Sequence, residues 1–380
     1  SEKARAAGGA KADKAERIAS PKLVRALWEL AASGSAARGA RAQACRFLAV
    51  AAAGAGRGVV DAAALRDATR HVVGDDGAVD CALAAALGLL VRDLSAGAGG
   101  DETARSAARA SCAALRAALV ADGKRLDRGR WYAAADAVVA ATFGLEEDPE
   151  QEASAFVKAL AAKCGFGDDD DADDVVNAAA GDLARLLHVV GHVSLQLLAA
   201  AEDLGSALKK ARVASASRAA AAAAAADKDG ADRDEDLQAA LGAGADRGDA
   251  EHEARMQHLV EAELVPAAAS NLVSCFGPVA ARVAAAGLPT ASGVGGPTRL
   301  PPVLHRAAVL CLSKMACVSR AFCDDHLPLL VTTLARASDS RARVNVAVAL
   351  GDLAARQPNS VEPWTEHVYG ALRDGDATVR

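Results

Sequence analysis

An all-α chain, folded as an α-solenoid of paired helices, is what this sequence predicts, and three observations carry the prediction. Arg306, Arg343 and Arg380 stand thirty-seven residues apart, and Asp339 and Asp376 repeat the same step. A fixed period of this order marks two-helix repeats of the HEAT or armadillo type. Apolar residues make up 52% of the chain but aromatic ones only 3%; alanine fills the difference, and it combines the highest helix propensity with a side chain small enough for close helix contact. Between short Gly and Asp turns, apolar residues recur at three and four spacing, as in Leu23, Leu27 and Leu30, the period of an amphipathic helix. Such an array offers an extended face to partners instead of an enclosed pocket.

Residues 1–20 form a polar N-terminal segment ending at Ser20-Pro21, where serine can cap a helix whose first turn opens with proline. N-terminal helical repeats follow over 21–212. The pattern predicts helices over Lys22–Ala32, Ala40–Ala53, Val79–Leu94, Thr103–Ala121, Trp131–Thr142 and Glu152–Cys164, then a long helical segment over Asp182–Lys210. Short links of this kind favour antiparallel neighbours. Residues 213–250 hold an alanine run, Ala219 to Ala226, and a charged stretch, Asp227 to Asp236. With so little apolar bulk they read as a low-complexity, disordered linker, helical at most through the alanines. Amphipathic helix returns over 251–286, a Gly/Pro-rich loop spans 287–302, and HEAT-type repeats occupy 303–380. The chain starts at Ser1 without methionine and stops at Arg380 in the first turn of a further helix, so it reads as a piece of a longer protein.

Net charge is −6, which leaves nucleic-acid contact to local basic patches. Eight cysteines without a Cys-x-x-Cys pair read as buried thiols of a reducing compartment. No apolar run of membrane-spanning length is free of charge, and no secretory leader is seen. Six aspartates between Asp168 and Asp174 lack the glycine and glutamate of a calcium loop and read as a solvated loop or helix start. His188 and His192 share a helix face as zincin ligands do, but Val189 stands where the catalytic glutamate would be. Packing explains them better than a metal. Ser194 with His188, and Cys311 with His305, belong to no recognised nucleophile motif. The expectation is a chain with no catalytic residue, no cofactor and no metal. In the repeat region, an aspartate in the turn and an arginine in the following helix can form a ladder between stacked repeats; Asp339, Arg343, Asp376 and Arg380 take these places and are expected to be structural.

The C-terminal stretch also carries strings that the period does not require. Leu312-Ser-Lys-Met315, Val318-Ser-Arg-Ala-Phe-Cys323, Leu327-Pro-Leu-Leu330, Ala349-Leu-Gly-Asp-Leu-Ala354 and Pro358-Asn-Ser-Val-Glu-Pro-Trp-Thr-Glu-His-Val-Tyr369, followed by Leu372-Arg-Asp374, closely resemble the condensin complex subunit 1 family, the non-SMC HEAT-repeat subunits of condensin I. Thinner matches fall upstream in the expected order: Trp131-Tyr132, Val190-Gly-His-Val193, and Asp236-Leu-Gln-Ala-Ala-Leu-Gly242 leading to Glu263-Leu264. The Gly293 to Pro302 insert has no counterpart there.

The resemblance implies a non-catalytic scaffold subunit of condensin that binds the kleisin subunit, associates with the SMC ATPase heterodimer and a second HEAT subunit, and contacts DNA without reading sequence. It further implies a role in mitotic chromosome condensation and segregation, in the nucleus and on chromosomes, with a cytoplasmic phase in the cell cycle. ATP hydrolysis would belong to the SMC partners, and the chain has no Gly-rich Lys-Ser/Thr phosphate loop. Candidates for phosphate contacts are Lys11, Lys14, Lys22, Arg25, Lys209 and Lys210. The alternatives are the related HEAT subunit of condensin II, or a solenoid of the importin or phosphatase-scaffold kind.

Overall fold

The computed structural model describes residues 20–55, 61–97, 102–121, 130–165, 180–226, 251, 254, 255, 258, 275–289 and 300–380. Among them the regular structure is helical, apart from one isolated antiparallel bridge between Val73 and Val79. The chain divides into two compact units, Ser1–His192 and Val193–Arg380.

The first unit holds α1 (Pro21–Ala32), α2 (Arg38–Ala55), α3 (Ala62–Arg70), α4 (Cys81–Gly97), α5 (Glu102–Ala121), α6 (Arg130–Leu145), α7 (Pro149–Lys163) and the start of α8 (Ala180–Ala226). Their starts are set by local chemistry. The Ser20 hydroxyl accepts from the Leu23 amide at 3.3 Å ahead of Pro21. One Asp61 oxygen takes the amides of Ala63 and Ala64, and one Asp80 oxygen those of Ala82 and Leu83. Asp148 caps α7 through Gln151, with Pro149, Glu150 and Glu152 in the first turn, where carboxylates oppose the helix dipole. Residues 1–19, Asp168 to Asp174, 227–250 and 290–299 lie outside the described residues. Helix α8 runs without a break through the 212 boundary to Ala226.

The packing follows one rule. Each helix touches the next in the chain or the next but one: α1 meets α2 and α3, α2 meets α4, α3 meets α5, α4 meets α5 and α6, and α5 meets α6 and α7. Odd-numbered helices therefore form one layer and even-numbered helices the other, which is the α-solenoid arrangement. Ordinary side chains would hold such layers apart; here small ones let them close. A Cβ added at Gly88 of α4 would sit 3.0 Å from Ala137 Cβ and 3.1 Å from its carbonyl carbon. Leu83, Leu87 and Leu90 of α4 are fully covered, as are Val138 of α6 and Leu115 and Leu119 of α5.

The second unit repeats the rule with α9 (Gly277–Ala286), α10 (Pro302–Val318), α11 (Arg320–Arg336), α12 (Ser340–Arg356), α13 (Pro358–Val361) and α14 (Thr365–Gly370), with single 3-10 turns at Glu362–Trp364 and Ala371–Arg373. Helices α9, α11, α13 and α14 make one layer, α10 and α12 the other. Ser319 ends α10 and caps α11 through Phe322. The α9 end is closed by contact with a ring: the His305 imidazole is buried there, and burial pulls its pKa below the ordinary value against the opposing pull of the Ala284 backbone. A Cβ at Gly287 would collide with that ring.

Close approach at Gly88 has a measurable cost if it is spoiled. Gly88→Leu should destabilise the fold by about 1–3 kcal/mol, as overpacked cores do, and lower the thermal midpoint followed by circular dichroism. Gly351→Ala, where a Cβ meets nothing within 4 Å, should leave the midpoint unchanged or raise it.

Candidate functional site: inter-repeat clamps and exposed helix faces

The turn between α11 and α12 carries polar contacts that join neighbouring helices of the second unit. Asp339 lies at the helix start because its side chain accepts from the Arg341 amide at 3.1 Å. Its second oxygen stands 2.7 Å from Nε of Arg306, on α10. One carboxylate thus caps one helix and pairs with its neighbour in the same layer. Arg343, one turn into α12, donates from Nη1 to the Ala337 carbonyl at 2.8 Å and closes a two-point contact on Asp374, at 2.8 and 2.9 Å. Asp376, one period on from Asp339, does for the end of the chain what Asp339 does for α12: it accepts from the amide and hydroxyl of Thr378. Arg380 donates to the carbonyl six residues before it, Asp374, as Arg343 does to Ala337. The arginine–carboxylate contacts therefore run Arg306 to Asp339 and Arg343 to Asp374.

A second clamp uses residues with no spacing signal. At the C-terminal end of α12, Arg356 donates from Nε to the Cys317 carbonyl at 3.1 Å and from Nη2 to Glu202 of α8 at 2.8 Å. Gln357 donates to the Ala316 carbonyl at 3.1 Å. These are last-turn carbonyls of α10, which have no partner within their own helix.

In the first unit, Arg116 of α5 is nearly closed off from solvent. It donates to Thr142 at 2.9 Å, pairs with Glu146 at 3.4 Å, and makes a further ion pair with Glu152 of α7. Cys112, one turn away, touches the same Thr142 hydroxyl at 3.5 Å. His188 and His192 of α8 both approach one oxygen of Asp136 on α6, at 2.8 and 3.5 Å. The Tyr132 ring packs on His188 at 4.7 Å, and the Arg185 guanidinium lies 4.8 Å over Trp131. This is a clasp between α6 and α8. Among the described residues no group of three or more His, Cys, Asp or Glu side chains is placed to hold a metal ion.

Seven of the eight cysteines are buried and Cys275 is exposed. Burial pushes the thiols of Cys45, Cys164 and Cys323 up to about 12 and that of Cys317 up to about 11. At neutral pH they are protonated and poorly nucleophilic.

The basic candidates fall on exposed faces. Lys22 and Arg25 project from α1, and Lys209 and Lys210 from the outer half of α8; Lys11 and Lys14 lie outside the described residues. Exposed apolar side chains occur on the same two helices, Leu23 and Leu30 on α1 and Leu204 and Leu208 on α8, and elsewhere as Phe47 and Val50 on α2, Val348 on α12, and Tyr369 and Leu372 near the C-terminus. The Glu362 to Thr365 string forms the 3-10 turn that leads into α14, with Glu362, Pro363 and Thr365 exposed. Helix α8 is long and apolar enough to cross a membrane by length and composition, yet 67% of its apolar window is buried within the fold, as for the core helix it forms beside α6.

No family model matches the chain. Among known proteins it is 31% identical over 265 residues to the condensin complex subunit 1 of Xenopus laevis, a stretch covering 69% of this chain and 18% of that protein. To the subunit of the same name from Mus musculus it is 49% identical over 79 residues, 21% of this chain and 6% of the relative. To that from Saccharomyces cerevisiae it is 24% identical over 264 residues, 66% and 21% respectively. The chain thus spans about a fifth of the length of the relatives it matches most broadly.

Two outcomes follow from the clamps. The hydrogen bond from Arg343 holds Asp374 below the ordinary carboxylate range, and the Thr378 amide and hydroxyl, with Ser340, hold Asp376 down to about 2. A carboxyl whose folded pKa is depressed stabilises fully above its unfolded value, about 4, and loses that contribution as pH falls through the folded one. Urea midpoints measured from pH 5 to pH 2 should fall across this window, and Asp374→Asn should start lower and fall less. Arg116→Ala should cost about 3–5 kcal/mol, because the shielded Glu146 is left without its cation, read by chemical denaturation.

Proposed function

We propose, on the premise that this chain belongs with the condensin complex subunit 1 family over the stretch it shares with them, that it supplies part of the HEAT-repeat scaffold of a condensin complex. The observation that carries the reading is the dense identity, 49% over 79 residues, to a protein of that name. A further relative, from Arabidopsis thaliana, is named as a subunit of condensin-1, at 42% over the same length, which favours condensin I over condensin II. The two-layer helix stacks support the same reading, since they offer long faces and, among the described residues, no enclosed polar site suited to chemistry.

In this role the chain holds an extended segment of the kleisin subunit against its helix layers and works beside the SMC ATPase heterodimer and the second HEAT subunit. ATP hydrolysis is assigned to the SMC partners and no catalysis to this chain. Lys22, Arg25, Lys209 and Lys210, on exposed helices, meet DNA phosphates without reading bases. The workplace is the nucleus and the mitotic chromosome, with a cytoplasmic phase in part of the cell cycle.

Affinity purification of the tagged chain from mitotic cells at low salt should recover a kleisin and two SMC ATPases. Recovery of a small GTPase without a kleisin would replace this reading with an importin-like one. For DNA, the quadruple variant K22A/R25A/K209A/K210A should weaken binding to duplexes of unrelated sequence equally. It should also flatten the dependence of log K on log salt by roughly 0.9 for each phosphate that is no longer neutralised. An unchanged slope would remove these four residues from the DNA surface.

A further inference from the structure

The outer half of α8 presents an unusual combination: a continuous helix whose residues 202–215 are exposed except for the half-buried Gly205. At about 100° per residue, Leu204, Ala207, Leu208 and Ala211 fall on one face. Leu204 is 57% and Leu208 42% exposed, although leucines at this spacing are what a helix buries. Asp203 and Lys210 are two turns apart and so line the same edge of that face, one at each end. We infer that this face pairs with a second copy of itself, as an antiparallel α8–α8 contact about a two-fold axis passing close to Ala207.

Charge and shape both select this partner. A two-fold axis perpendicular to the helix brings the edge holding Asp203 and Lys210 against the same edge of the other copy, reversed. Asp203 of each chain then meets Lys210 of the other, and the ion pair forms twice. A parallel arrangement would set this edge of one copy against the opposite edge of the other, so Asp203 and Lys210 would not meet. The same axis sets Leu204 of one copy against Leu208 of the other, and Ala207 against Ala207, where two methyl groups permit close helix approach. The contact is isologous, so it closes at two chains. It spans roughly 16 Å of helix, from about eleven residues at 1.5 Å each, so the dimer forms at high concentration and loosens as salt screens the pairs.

Sedimentation equilibrium of the 380-residue chain, from micromolar to several hundred micromolar at low salt, tests this directly. The wild type should shift from monomer to dimer. D203K and K210D should each weaken the dimer at least tenfold by setting like charges face to face, and the exchange D203K/K210D should restore it. L204E/L208E should abolish it while the circular dichroism spectrum stays helical. D203K adds positive charge, so its effect on DNA binding runs opposite to its effect on pairing, and the two roles of this helix separate. A wild-type chain that stays monomeric throughout, or a double exchange that fails to recover what each single variant loses, would overturn the proposal.

Discussion

Asp339 is the residue on which the second unit turns. Its carboxylate ends one connection, starts α12 and reaches Arg306 on α10, so helix initiation and layer stacking share a single side chain. A helix start needs an acceptor for amides that have no partner in their own helix, and a stacked layer needs a polar contact that fixes the spacing of its members. Supplying both from one position links them: α12 cannot form in register without also docking. Arg356 and Gln357 complete the restraint at the other end of α12 by covering carbonyls of α10. The α10–α12 pair is held at both ends, with the apolar contact of Leu312, Leu350 and Leu353 between them.

The first unit reaches a similar result by other means. Its layers depend on small residues, Gly88 against Ala137 among them, and on polar contacts buried between helices. Arg116 joins three helices by meeting Thr142, Glu146 and Glu152, and Asp136 gathers two histidines from α8. Dispersion between many small groups supplies cohesion, but alanine faces are alike and tolerate sliding. Charged contacts with fixed geometry give such faces one register. The arrangement keeps the exposed helix faces of this unit at constant spacing.

Most helices could be read from the sequence because their ends carry explicit chemistry. Ser20-Pro21 announces a start, and the structure begins α1 there; Asp148-Pro149 and Asp339 carry the same chemistry at the starts of α7 and α12, where the sequence pattern predicts a helix from Glu152 and an aspartate in a turn. The predicted spans Lys22–Ala32, Thr103–Ala121 and Trp131–Thr142 match α1, α5 and α6 to within a few residues. Helix α3 escaped the reading: it has only nine residues, and apart from Leu65 its apolar content is alanine, so a period is hard to see. Asp61 two residues before Ala63 was the available signal. The repeat spacing led to Asp339, Arg343, Asp376 and Arg380, but the partner of Arg343 depends on a bend of the chain after α14. That bend brings Asp374 forward, while Asp376 is engaged by Thr378. The Arg116 network and the Arg356 clamp join residues far apart in sequence with no fixed step between them, and pattern alone carries no trace of such contacts.

The distribution of cysteines makes the chain its own reporter. Cys275 alone among the eight meets solvent, while burial keeps the other seven covered and, where their acidity is displaced, protonated. A thiol-directed fluorophore added under native conditions will therefore attach at a single known position beside α9. The slow modification of the remaining seven measures how often the helices that carry them open. Spectroscopy thus needs no engineered handle, and helix breathing can be timed on the unaltered chain.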